Sequence, residues 1–89
     1  MREKETLEQA IKVFGEKAQE EKCIEELAEL IVAICNKHCG RDSNIPEEIA
    51  DVEIMLEQMK MINNCHGEVN TIKFHKMVRL RERIFDKCM

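Results

Sequence analysis

The chain predicts an all-α fold, a bundle of about four helices in one domain spanning residues 1–89. Three observations carry that prediction. Hydrophobic residues make up 44% of the chain but aromatics only 3%, with one proline and three glycines, a balance that favours helices over sandwiches or barrels of strands. Apolar residues recur every three or four positions through four segments. The breaks between those segments hold glycine, asparagine, serine and proline.

The first segment carries Leu7, Ala10, Ile11 and Phe14 at helical spacing and stops at Gly15, a residue suited to a left-handed cap. The second runs from about residue 17 to 37. Its stripe of Ile24, Leu27, Ala28, Ile31, Ile34 and Cys35 reads as the buried face, with Glu25, Glu26 and Glu29 along the flank. Residues 38–44 break the periodicity, Ser43 or Asn44 offers an N-cap, and Pro46 fits the first turn of a third helix. That helix is expected to bury Ile49, Val52, Leu56 and Met59, with Met55 and Ile62 beside them. After Asn63, Asn64 and Gly67, a fourth helix is expected over about residues 69 to 86. Its inward positions are Ile72, Met77, Leu80 and Ile84, with Phe74, Val78 and Phe85 nearby. No internal repeat or low-complexity segment is evident.

A chain of 89 residues buries only about 60–65% of its unfolded surface, so its core is thin and self-association is expected. The net charge of −4 hides an asymmetry. Residues 16–57 hold 12 acids against 4 bases, whereas residues 70–89 hold 6 bases against 2 acids. An acidic chain is a poor general binder of nucleic acid polymers, whose affinity depends on Lys and Arg. A small phosphorylated ligand bridged by a metal fits better. Five cysteines, an odd count without a signal-peptide pattern, read as reduced thiols of a cytoplasmic protein. The longest apolar run, residues 30–35, is far too short to span a membrane.

Four acids form two short pairs, Glu26-x-x-Glu29 and Glu48-x-x-Asp51. Residues three apart share a helix face. Two helices joined by a short connection lie antiparallel, which brings the middle of the second beside the first turns of the third. The pairs then converge, and four carboxylates need a cation to cancel their repulsion. No lysine follows Glu25 or Glu26 at i+4, where Glu29 and Leu30 stand instead. Oxygen ligands without an organised His or Cys set suit Mg²⁺, which commonly bridges carboxylates to substrate phosphates. An isolated ExxE or ExxD in a chain that is 36% charged is an ordinary solvated face; the combination carries the reading.

The segment Ile24-Glu25-Glu26-Leu27-Ala28-Glu29-Leu30, followed after 18 residues from Glu29 by Glu48-Ile49-Ala50-Asp51-Val52, resembles the MazG-like all-α nucleoside triphosphate pyrophosphohydrolases. Their signature is EExxE, a variable spacer, then ExxD, and the resemblance extends over about residues 7 to 84. It implies hydrolysis of a ribo- or deoxyribonucleoside triphosphate to the monophosphate and pyrophosphate, with Mg²⁺ or Mn²⁺ in its place, often to clear unwanted nucleotides. By motif position it implies Glu26, Glu29, Glu48 and Asp51 as metal ligands and Glu25 as the residue that orients water or serves a second metal. A Lys-x-x-Arg-Leu stretch on the fourth helix, common in short relatives, makes Lys76 and Arg79 the candidate phosphate contacts. The resemblance also implies a homodimer or homotetramer. Neither Trp nor Tyr occurs, so an aromatic platform for a base would come from Phe14, Phe74 or Phe85.

Other features admit plainer readings. Lys73, Lys76, Arg79, Arg81 and Arg83 also fit a basic face pairing with the acidic helices, while Lys37 and Arg41 stand near the first connection. Cys35, His38, Cys39, Cys65 and His66 lack zinc-site spacing. Met55, Met59, Met61 and Met77 fit a core or a subunit interface. A di-iron bundle would use Glu-x-x-His ligands, and no such motif occurs. The alternative to an enzyme is a non-catalytic helical module that binds metal or nucleotide, or assembles, for regulation.

Overall fold

The structure, a computed structural model, describes residues 2–89. Among them are four α-helices and no strand: α1 (Glu3–Phe14), α2 (Glu16–His38), α3 (Ile45–Ile62) and α4 (His66–Cys88). None of these helices is long and apolar enough to cross a membrane.

One residue joins α1 to α2. Gly15 takes φ 93° and ψ 152°, a positive φ but not the left-handed helical conformation expected of it. Its N–H donates to the Ile11 carbonyl at 2.8 Å, and its carbonyl accepts the Gln19 N–H at 3.1 Å, so it satisfies backbone groups of both helices. At the other end of α2, Gly40 adopts φ 73°, and the Arg41 N–H donates back to the Asn36 carbonyl at 2.8 Å. That closure reverses the chain and lets Asn44 begin α3. Asn44 is the N-cap residue, but its side-chain amide donates to the Glu47 carboxylate instead of accepting a backbone N–H.

The centre of the molecule is the antiparallel pair α2–α3, with α1 packed against both. Along α2 the inward residues are Gln19, Cys23, Glu26, Leu30 and Ala33, stepping alternately by four and three as a coiled-coil seam does. Along α3 the matching seam is Ile45, Glu48, Val52, Met55, Met59 and Ile62, flanked by the buried Gln58. The Gln19 amide donates to Gln58 Oε1 at 2.5 Å, levelling the start of α2 with the end of α3. Seven residues onward from Gln19 and seven back from Gln58 bring Glu26 level with Asp51. Three more bring Glu29 level with Glu48.

This seam is not the stripe expected from hydrophobicity. Ile24, Leu27, Ile31 and Ile34 are exposed, Ile24 by 68% and Ile31 by 62%, and Ala28 and Cys35 lie open with them. The reason is pairing: α3 presents Gln58, Asp51 and Glu48 in register with Gln19, Glu26 and Glu29, and α2 turns that face inward. On α3, Val52 and Met55 are buried and Met59 and Ile62 half-buried as expected, whereas Ile49 and Leu56 are partly open.

The fourth helix departs most from expectation. It starts at His66, earlier than the periodicity indicates, and buries no residue; Ile72, Met77, Leu80 and Ile84, expected inward, are exposed. Its backbone comes close to α3 alone. The Cα radius of gyration is 16.5 Å, against about 12 Å for a compact chain of this length. At the α3–α4 junction His66 Nε2 lies 3.1 Å from Glu57 Oε2, and Lys60 Nζ lies 2.8 Å from Glu57 Oε1. The ammonium of Lys60, then His66, hold the Glu57 carboxyl below its usual range.

Candidate metal centre

Facing register places four carboxylates in one cluster. One oxygen from each of Glu26, Glu29, Glu48 and Asp51 lies within 4.8 Å of the others. Each pair is one helical step long, so each helix turns both of its acids toward the other. Glu26 is the centre of the group and the most enclosed, 7% exposed. Glu48 and Asp51 are half-buried in the first turns of α3, where the positive end of the helix dipole favours anions, and Glu29 is open to solvent.

The electrostatics are those of acids held too close. The Glu29 carboxyl is pushed above its usual range, first by the charge of Glu26 and then by the water its neighbours displace. Asp51 is pushed up too, by partial burial first and then by the charges of Glu26 and Glu47. Glu26 Oε2 and Glu48 Oε2 are shut away from solvent with no hydrogen-bond partner. A buried, unpartnered carboxylate oxygen is costly unless a cation meets it.

One cation is present in the chain itself. Lys22 Nζ lies 3.2 Å from Glu26 Oε1 and 3.7 Å from Glu25 Oε1, and its ammonium form is strengthened first by the hydrogen bond to Glu26. Lys22 precedes Glu26 by four residues, so the pair runs backward along the helix from the acid, and the i+4 positions after Glu25 and Glu26 still hold no lysine. One ammonium does not neutralise Glu25, Glu26, Glu29, Glu48 and Asp51 together. The donor set, carboxylate oxygens only, with two of them buried and unpartnered, fits a hard divalent cation such as Mg²⁺ or Mn²⁺.

Glu25 stands outside the four-oxygen group, on the exposed flank beside Lys22, and lines a cavity of about 490 Å³ that also reaches Glu29 and Glu48. Lys76 and Arg79 lie on exposed turns of α4; neither borders that cavity, and among the described residues neither forms an ion pair. Nor do Lys37 and Arg41 border it. No phenylalanine lines it, so the aromatic platform expected from Phe14, Phe74 or Phe85 is not on its walls. The larger cavity, about 590 Å³, lies away from the acids, where α4 diverges from α1 and α3 between Leu7, Ile54, Lys60 and Lys73. It lacks the carboxylate cluster and carries no chemistry of that kind.

The cysteines do not assemble a second centre: all five are free thiols, and the acidic cluster is the one group of potential ligands that converges among the described residues. Cys23 is buried, and burial pushes its thiol up. No protein-family model, curated protein or solved structure matches the chain.

Proposed function

We propose that the chain is a Mg²⁺-dependent nucleoside triphosphate pyrophosphohydrolase. The observation that carries the reading is the convergence of Glu26, Glu29, Glu48 and Asp51 with two buried carboxylate oxygens left without partners. The EExxE and ExxD spacing resembling MazG-like enzymes supports the substrate class. Those four residues hold the cation. Bound there, Mg²⁺ supplies charge neutralisation for the triphosphate and for the oxygens on which charge develops.

The chain's own groups do the rest. Glu25, beside the cluster but outside it, orients a water toward the α-phosphorus; the water's oxygen forms the new P–O bond as the α–β bridge breaks and pyrophosphate leaves, and the water's proton passes by way of the Glu25 carboxylate to solvent. Lys22, already at Glu26, holds the acids together before the metal arrives. Lys76 and Arg79 contact phosphates, and since α4 does not close over its own acids, a neighbouring copy supplies them.

The same reading includes assembly. A second copy covers the stripe of Ile24, Leu27, Ile31 and Ile34, because α2 is acid-rich and α4 base-rich and both leave apolar residues uncovered. Burying one such side chain contributes about 1.5–3 kcal/mol, enough that a few of them hold a dimer. MazG-like bundle architecture and a dimer or tetramer belong to this proposal.

The test is pyrophosphate release from a panel of ribo- and deoxyribonucleoside triphosphates with Mg²⁺, with Mn²⁺ and with chelator. Metal-dependent pyrophosphate and the matching monophosphate are expected. A metal-stabilised protein that releases none would instead be the regulatory module.

A further inference from the structure

We propose that the cavity beside the acids is the nucleoside subsite, with Ala28 and Val32 along its wall and Asn36 and Asp42 as the groups that read the base. The inference rests on the proposed function and names where that substrate's sugar and base lie. The cavity is continuous with the acids. Glu29 and Glu48 line both the carboxylate cluster and the cavity of about 490 Å³, so a ligand whose phosphates face the acids has its remainder directed there. The volume is within the roughly 300–1,000 Å³ of small-molecule sites.

The chemistry also grades along one face of α2. Glu25, Glu29, Val32 and Asn36 recur at steps of four, three and four, so the groove follows a single helical stripe. Its acidic end gives way to Ala28, Val32 and Ala33, small side chains where the neighbouring stripe carries leucine and isoleucine. The small residues leave the volume open and present an apolar surface. From Glu29 to Asn36 the helix rises about 10 Å, a length for one sugar and base.

At the far end the wall becomes polar again, with Asn36 from α2 and Asp42, Ser43 and Asn44 from the connection. The Asn44 amide is committed to Glu47. Asn36, half-buried, Asp42 and the Ser43 hydroxyl remain, the first two as a donor–acceptor and an acceptor for the base edge. Gly40 and the bond from the Arg41 N–H to the Asn36 carbonyl fix the connection that carries Asp42. Without an aromatic wall, discrimination among bases falls to these hydrogen bonds.

The experiment compares binding of α,β-methylene nucleoside triphosphates with binding of inorganic tripolyphosphate, each with Mn²⁺, to the full chain by calorimetry. The nucleotides are expected to bind at least about tenfold tighter although tripolyphosphate carries the greater negative charge, so the gain comes from the nucleoside. Ala28→Phe and, separately, Val32→Phe fill the groove from solvent-facing positions and should collapse that ratio toward one. Asn36→Ala and Asp42→Ala should change the order of preference among bases. Equal binding of nucleotide and tripolyphosphate by the wild type, or a ratio that survives both phenylalanine variants, overturns the subsite. A nucleoside-dependent ratio in a protein that releases no pyrophosphate leaves the subsite standing and removes the catalytic reading.

Discussion

Two stripes run along α2 on adjoining faces. One, Gln19, Cys23, Glu26, Leu30 and Ala33, mixes amide, thiol and acid with two apolar residues and is turned against α3; the other, Ile24, Leu27, Ile31 and Ile34, is wholly aliphatic and faces outward. Hydrophobicity alone assigns the core to the wrong one. In a chain this short the greasiest stripe need not be the internal one. The polar seam has complementary residues at matching heights on α3, whereas the aliphatic seam has no counterpart left within the chain. The inner face builds the acidic cluster, and the outer face is available for another copy.

The sharpest way to separate the faces is to alter each and ask what is lost. Glu26→Gln or Asp51→Asn on the inner seam should reduce pyrophosphate release by more than about a hundredfold, since even supporting groups around a metal cost 10–100-fold. Helical circular dichroism and molecular mass in solution should stay as in the wild type; retained turnover in both variants would dismiss the cluster as the active site.

On the outer seam, Ile24→Asp with Ile31→Asp should weaken self-association by at least about a hundredfold, because each buried isoleucine contributes about 1.5–3 kcal/mol. Sedimentation at several protein concentrations reads this directly. An unchanged mass would mean that this stripe is not the contact.

A smaller effect is expected from Gln58→Leu, which strands the Gln19 amide in the α2–α3 interface. The cost is about 1–3 kcal/mol by chemical denaturation, and the double variant with Gln19→Leu should recover most of it. Recovery without a return of Mn²⁺ affinity would show that the pair sets register more than it adds stability.

The smallest effect is in pH. Glu29 and Asp51 have folded-state pKa values raised above the ordinary carboxylate range, so in that window the folded chain binds more protons than the unfolded one. Their contribution is fully present below the unfolded carboxylate pKa and is lost as pH rises through the raised values; metal-free stability should fall across that interval. Glu29→Gln should flatten the dependence. Saturating Mn²⁺ should reverse it, adding about 2.7 kcal/mol at a hundredfold excess over its dissociation constant.

Much of this architecture is legible in the chain. The four helices follow from periodicity, and the convergence of Glu26, Glu29, Glu48 and Asp51 follows from three-residue spacing plus an antiparallel turn. What is not legible depends on relations between segments. The Lys22–Glu26 pair runs back along the helix from the acid, so the residues that follow each glutamate do not reveal it. Asn36 and Asp42 look like ordinary helix-end and loop residues until Gly40 folds the connection beside Ala28 and Val32. The outward course of α4 is hidden for the same reason: its stripe is as amphipathic as the others, and only the pairing of α2 with α3 leaves it uncovered.

The ladder of Gln19 with Gln58, Glu26 with Asp51 and Glu29 with Glu48 makes the centre a matter of phase, not of length. Residues added to the connection beyond Cys39 would lengthen a loop and leave the facing acids where they are. One residue inserted into α2 between Gln19 and Glu26 would turn the two acids by about 100° relative to the amide that anchors them. Length added to the connection therefore leaves the acids in place and displaces only Asp42 and its neighbours at the cavity, while within each helix the count from glutamine to glutamate is held to the residue.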